Sequence, residues 1–218
     1  MNNTMNRALS RNVRLVLTGA FSALIIVLTF TNLGFISFSP VVSITILQIP
    51  VILAAMMAGL PGGLFAGTVM GLMSLIKAAM APTGILDPLF VNPLCSVLPR
   101  MFLGVVAWGI WKLFGMLEKL PFVKSGVQPV FAGITAFAAT FCHTLLVYGC
   151  IFIFEGADMN AALETIGMTG AGFITVVGVG IVSEIVEAAA ACVVIAAVYT
   201  GLVIAANSKS KLSKEMEK

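Results

Sequence analysis

Six long apolar runs thread this chain, at about residues 13–31, 43–60, 62–80, 96–114, 129–154 and 177–205. A helix of about 20 apolar residues is what the ~30 Å hydrocarbon core of a bilayer requires. Lipid offers backbone N–H and C=O groups no partners, so only helices and closed barrels cross it. The runs are continuous and do not alternate with period two, which excludes barrel strands. They predict an all-α integral membrane protein of six transmembrane helices forming a single domain over 1–218. Composition agrees: 60% of the residues are hydrophobic and 10% charged, where a soluble domain carries about 25% charged residues.

Proline and glycine punctuate the pattern. Pro50, in IPV, predicts a kink in the second helix. The LPGG stretch at 60–63 predicts a tight turn into the third. The longest stretches outside the runs are 81–95, 115–128 and 155–176. The last contains AALETI at 161–166, a candidate short surface helix. Arg7, Arg11 and Arg14 precede the first run as in a signal peptide. That run is long enough to span, and no small-residue cleavage site follows, so an uncleaved first helix is expected.

Charge placement orients the bundle. The net charge is +3, and the basic residues fall in an arm (1–12), a central loop with Lys112, Lys119 and Lys124, and a tail (206–218) with Lys209, Lys211, Lys214 and Lys218. Six spans put all three on one side, the cytoplasm by the positive-inside rule; five or seven would place the basic tail outside. The opposite loops hold Asp87, Glu155, Asp158 and Glu164. No basic stripe suggests nucleic acid.

Five ionisable residues fall inside spans, where such groups are costly and signal function: Lys77, Arg100, His143, Glu184 and Glu187. All five lie in the outer half under this topology. Glu184 and Glu187 are three residues apart and share one helix face. Two close carboxylates need cations nearby, which Lys77 and Arg100 would supply. Two readings stand side by side: an ion-pair network pinning helices together, and a polar ligand pocket open to the outside. Further polar groups sit where loops meet the membrane: Asn32, Ser43, Thr45, Gln48, Thr83 and Asn92. Gln48 lies just before Pro50, whose missing N–H frees a carbonyl one turn back. Trp108 and Trp111 fall near the inner end of the fourth run, as interface anchors.

Small residues repeat at every fourth position: Gly19 and Ala23 in the first run, Ala54 and Ala58 in the second, Gly63, Gly67 and Gly71 in the third. Such stripes bring helix backbones close, either within the bundle or against a partner membrane protein. The four cysteines, Cys95, Cys142, Cys150 and Cys192, lack metal-ligand spacing. Cys142 and Cys150 would stand about 12 Å apart on one helix, too far for a disulfide, so all four read as packing residues. The sequence has no phosphate-binding GxxxxGK[ST] loop, no HExxH and no GxSxG beside its single histidine. ATP hydrolysis, zinc chemistry and serine hydrolysis by this chain are therefore unsupported, and no cofactor is expected.

Three blocks, VSITILQIPVI (42–52), AGLPGGLFAGTVMGLMSLIK (58–77) and NPLCSVLPRMFLG (92–104), resemble the substrate-binding (S) components of energy-coupling-factor (ECF) vitamin transporters. EIVEAA (184–189) extends the likeness more loosely. The resemblance implies six helices with cytoplasmic termini in the bacterial cell membrane, capture of a vitamin from outside, and delivery through a transmembrane coupling subunit and two ATP-binding subunits. It implies a docking motif at Gly19 and Ala23, with Gly63, Gly67 and Gly71 as additions, and an outer gate at 32–42. Gln48 stands where that family often has histidine. The substrate-binding set is then Gln48, Lys77, Asn92, Arg100, His143, Glu184 and Glu187. Riboflavin calls for aromatic stacking, and aromatics such as Phe35, Phe38, Phe90 and Tyr148 are sparse in the outer half. Lys77 and Arg100 favour a carboxylate, and the ProArg block resembles the pantothenate-type branch. The competing readings are an autonomous transporter or channel, and an intramembrane enzyme using Glu184, Glu187 and His143.

Overall fold

A computed structural model describes residues 10–31, 33–37, 43–82, 87–118, 126–164 and 172–216. Its long elements are helices: α1 (Arg11–Phe30), α2 (Gln48–Ala58), α3 (Leu60–Met80), α4 (Pro93–Leu117), α5 (Gln128–Glu164) and α6 (Gly172–Met216). Five of them contain stretches long and apolar enough to cross a membrane: Arg11–Phe30, Leu60–Met80, Pro93–Leu117, Gln128–Met159 and Ser183–Leu202. Their outer surface is greasy. Leu15, Val16, Phe65, Met80, Ile153 and Val193 are all more than half exposed, a surface that suits lipid and not water. The chain is thus an α-helical membrane protein. Arg7, Asn32, Phe38, Thr83, Lys119 and Lys124 lie outside the described residues, as do most of the expected gate and the end of the AALETI segment.

The second run departs from expectation. Its first residues are not helical: β2 (Ser43–Thr45) pairs antiparallel with β1 (Phe35–Ser37), Phe35 opposite Thr45 and Ser37 opposite Ser43. The β-branched SITI stretch suits a strand. The helix begins only at Gln48 and runs 11 residues, about 16 Å at 1.5 Å per residue. Pro50 therefore sits in the first helical turn, where its missing N–H removes no intrahelical bond, and the expected kink is absent. α2 is apolar around its whole circumference and buried from Pro50 to Met56, as a helix at the centre of a bundle must be. Its Leu47, Val51, Ile52 and Ala54 form the core with Ile25, Leu103, Ala136 and Ile195 from the surrounding helices.

The expected LPGG turn is also displaced. The chain reverses at Gly59 alone, with φ 84° and ψ −169°, while Leu60 and Pro61 already belong to the first turn of α3. That backbone region is essentially restricted to glycine. Gly59→Ala is expected to cost about 1–3 kcal/mol, readable as a lowered unfolding temperature in detergent.

Gly63, Gly67 and Gly71 are all buried. A Cβ on Gly71 would stand 2.6 Å from Val97 Cα, one on Gly63 2.7 Å from Ala55 Cβ, and one on Gly67 would overlap the carbonyl oxygen of Arg100. Ser96 Oγ seals the crossing by donating to the Gly71 carbonyl at 3.0 Å. These three glycines let α3 press against α4 and α2, so the reading of them as a partner surface gives way to internal packing. Ala54 and Ala58 are likewise buried. Gly19 and Ala23 differ: both are exposed on α1, and a Cβ on Gly19 would meet nothing within 4 Å.

α5 reaches further than the fifth run, but its helical geometry breaks at Glu155 (φ −130°, ψ 21°), one residue past the expected end. Trp111 meets Tyr199 edge-on, centroids 5.2 Å apart. Lys112 Nζ lies 4.7 Å from the centroid of the Trp108 ring. Both tryptophans pack partly against the helical core and so do more than mark an interface.

Candidate functional site

Pro99 is the local cause of the site's geometry. It sits inside α4, where a proline leaves the carbonyl four residues earlier without its N–H. That carbonyl belongs to Cys95, and Arg100 Nη1 donates to it at 2.7 Å. The arginine side chain is thereby folded back along its own helix, 8% exposed, with its guanidinium 4.8 Å from the centroid of the Phe90 ring. Phe90 lies on the 3-10 turn Asp87–Val91 that precedes α4. The Pro99 carbonyl is met by His143 Nδ1 of α5 at 3.1 Å. A carbonyl only accepts, so Nδ1 carries the hydrogen.

α6 brings the carboxylates. Glu184 is 5% and Glu187 8% exposed. Thr144 of α5 donates its hydroxyl to Glu184 Oε2. Thr45 of β2 donates to Glu187 Oε1 at 2.7 Å. Arg100 interacts electrostatically with Glu187, and Glu187 with Glu184. Tyr148 lies within electrostatic reach of both carboxylates. Gln48, at the start of α2, is 1% exposed and shares a hydrogen-bonding contact with Glu187. Glu184 Oε1 and Arg100 Nε are buried without a partner.

Gln48, Arg100, His143, Glu184 and Glu187 therefore converge from α2, α4, α5 and α6, a juxtaposition that an ion-pair network and a ligand pocket both call for. Two of the seven expected binding residues are engaged differently. Lys77, near the end of α3, interacts electrostatically with Asp87. Asn92 caps α4, its Oδ1 accepting from Leu94 N at 3.0 Å, and its Nδ2 donates to Glu155 Oε1 at 2.6 Å, tying the start of α4 to the break in α5. The sequence reading did not assign roles to Thr144 or Pro99. The Pro99–Arg100 adjacency carries a usable signal, because a helix-interior proline frees a carbonyl that a neighbouring arginine can take.

Among the described residues no group of His, Cys, Asp and Glu is arranged to hold a metal ion. Donors and acceptors buried under apolar helices, with several atoms left open, suit recognition of a small polar molecule. Arg100→Ala would strip Cys95 of its donor and Glu187 of its cation. It is expected to destabilise the bundle by about 3–5 kcal/mol, the usual cost of breaking a buried charged network, visible as aggregation during size-exclusion chromatography.

A buried, mixed-charge polar cluster in a helical membrane protein is the kind of site a small-molecule binding component of the membrane carries. The chain belongs to a family of that class, described as ECF transporter, substrate-specific component, which matches residues 13–199. The family and the five apolar helices make it a multi-pass protein of the cell membrane. It is similar to the pantothenic acid transporter PanT of Lactococcus lactis subsp. cremoris (strain MG1363), with 30% identity over 130 residues, 55% of this chain and 62% of that protein. The match thus spans less than two thirds of that relative's length.

Proposed function

We propose that this chain captures a small polar micronutrient from outside the cell and hands it to a separate coupling subunit driven by two ATP-binding subunits. Pantothenate is the first candidate ligand. The observation that carries the reading is the buried convergence of Gln48, Arg100, His143, Glu184 and Glu187, with donor and acceptor atoms left unpaired. A purely structural network would be expected to satisfy its own members, since each buried unpaired polar group costs about 1–3 kcal/mol.

The reading takes six passes with both termini in the cytoplasm. The second pass combines residues 43–47, of which 43–45 are strand, with the short α2. Non-helical backbone at membrane depth is tolerated where it is buried in protein or lines a polar cavity, and Thr45 in that stretch reaches Glu187. The basic arm, central loop and tail set the orientation. Gly19 and Ala23, exposed on α1, are the docking stripe for the coupling subunit. In this reading Lys77 and Asn92 shape the entrance through Asp87 and Glu155.

Isothermal titration of the detergent-purified chain with pantothenate, alongside mass spectrometry of any retained compound, tests the capture step. Uptake by cells expressing the chain with and without a coupling module tests delivery. Binding without ATPase activity, and uptake only with the module, is the expected result. Flux through proteoliposomes holding this chain alone would replace this reading with that of an autonomous transporter.

A further inference from the structure

A threonine inside a helix ordinarily turns its hydroxyl back to the carbonyl four residues earlier. Thr18, Thr29, Thr68, Thr135 and Thr200 all do so, at 2.7 or 2.8 Å. Thr144 and Thr140, one turn apart on α5, depart from this habit. Thr144 gives its hydroxyl to Glu184 Oε2. Thr140 gives its hydroxyl to nothing: the side chain is 0% exposed, and its Oγ1 is buried without a partner.

Helix geometry fixes where that side chain faces. Successive residues turn by about 100°, so Thr140 lies about 40° from Thr144 and about 60° from His143 on the other side. Thr144 faces Glu184 of α6, and His143 faces the Pro99 carbonyl of α4. Thr140 therefore faces the gap between α4 and α6, about 6 Å along α5 from Thr144 toward the start of the helix. On α6 this level is bracketed by the Thr144–Glu184 contact and by the close approach of Gly133 to Cys192. It falls at Glu187 and Ala188, and the Glu187 carboxylate is turned to Thr45 and Gln48. A buried hydroxyl without a bond costs the resting bundle stability. One set on the face that carries His143 and Thr144 offsets that cost when a bound molecule supplies the missing partner.

Resting on the capture reading above, we propose that Thr140 is a further ligand-binding residue of this site. Its hydroxyl, able to donate and to accept, takes a hydroxyl, carbonyl or amide group of the ligand. A water is the other occupant that such a hydroxyl accepts; one that touches only protein leaves ligand affinity independent of Thr140.

Isothermal titration with pantothenate of the unaltered protein and of Thr140→Val, Thr140→Ser and Thr135→Val tests the assignment, with unfolding temperatures taken without ligand. Valine keeps the side chain's shape and removes the hydroxyl. Thr140→Val is expected to bind at least ~10-fold more weakly, the scale of one buried hydrogen bond, with an unfolding temperature no lower than that of the unaltered protein. Thr140→Ser keeps the hydroxyl and is expected to recover most of the affinity. Thr135→Val, buried on the same helix but already bonded to Phe131, should bind as the unaltered protein does. Unchanged affinity in Thr140→Val overturns the assignment and leaves capture intact. So does an equal loss in Thr135→Val, or a Thr140→Ser as weak as Thr140→Val, because either places the effect in packing. A lowered ligand-free unfolding temperature in Thr140→Val would reveal a partner in the resting bundle and overturn it as well. If Thr140→Val is not recovered folded, Thr140→Ser and Thr140→Ala, which differ by the hydroxyl alone, give the same comparison. If pantothenate does not bind the unaltered protein, the compound retained through purification is the probe. Its amount per protein is expected to fall at least ~10-fold in Thr140→Val, and an equal amount overturns the assignment. Failure to bind or retain anything overturns the capture reading and this assignment with it.

Discussion

Gln48→Met is expected to lower both the stability of the ligand-free protein and its affinity for ligand. The Gln48 amide is buried and shares a hydrogen-bonding contact with the Glu187 carboxylate. Methionine fills nearly the same volume with flexible apolar atoms, so no cavity opens, but the buried carboxylate loses a polar neighbour. A loss of about 1–3 kcal/mol is the expected balance, measured as a lowered unfolding temperature in detergent without ligand. Ligand binding is expected to fall at least ~10-fold, about 1.4 kcal/mol. An unchanged or raised unfolding temperature would mean that the amide contributes no bond to Glu187 in the resting bundle.

Gly67→Leu and Gly19→Leu are expected to behave as opposites although both glycines belong to stripes with the same spacing. At Gly67 even a Cβ overlaps the carbonyl oxygen of Arg100. The obstacle is backbone, not the end of a flexible side chain, so α3 and α4 must separate. That would unseat Ser96 from the Gly71 carbonyl and shift Arg100 itself. A loss of about 3 kcal/mol or more is expected, with little monodisperse protein recovered and ligand binding abolished. At Gly19 a Cβ meets open space, and a leucine there adds one more apolar side chain to a lipid-facing helix. The unfolding temperature and ligand affinity of Gly19→Leu should match those of the unaltered protein. If α1 is the docking face, uptake with the coupling module present should fall sharply. Normal uptake by Gly19→Leu would remove that position from the interface.

The difference between these glycines shows where the sequence is informative and where it is not. A four-residue repeat of small residues says that something approaches closely. It does not say what, because a neighbouring helix and a partner protein ask for the same small side chains. The polar residues behave similarly. Intramembrane Arg100, His143, Glu184 and Glu187 stand out in an apolar sequence because each is expensive there, and four helices do carry them and Gln48 to one place. Lys77 met the same criterion, yet it interacts electrostatically with Asp87, a pairing that the linear pattern does not reveal. Asn92 read as a loop polar group near the site, and its position before Pro93 instead makes it a helix cap.

The early part of the second run was misread for a local reason. Apolar β-branched residues serve equally in a lipid-facing helix and in a short buried strand, and only a partner strand decides between them. Phe35–Ser37 supplies that partner through pairing set by the fold. Pro50 predicts a kink only in a helix that starts well before it; a start at Gln48 makes the same proline a first-turn residue.

What the sequence determined by itself was the solvent and the inventory. Continuous apolar runs can satisfy their backbones in lipid only as helices, and the rare charges among them had to be gathered or paired. What the tertiary structure decided was which charge meets which. Pro99 frees a carbonyl that bends Arg100 back onto its own helix, and β2 carries Thr45 to Glu187. Arg100 Nε and Glu184 Oε1 are left with open hydrogen-bonding positions. The Arg100 contact is local to its own helix, but the meeting of Thr45 with Glu187 joins residues far apart in the chain, and no periodicity along a single helix encodes it.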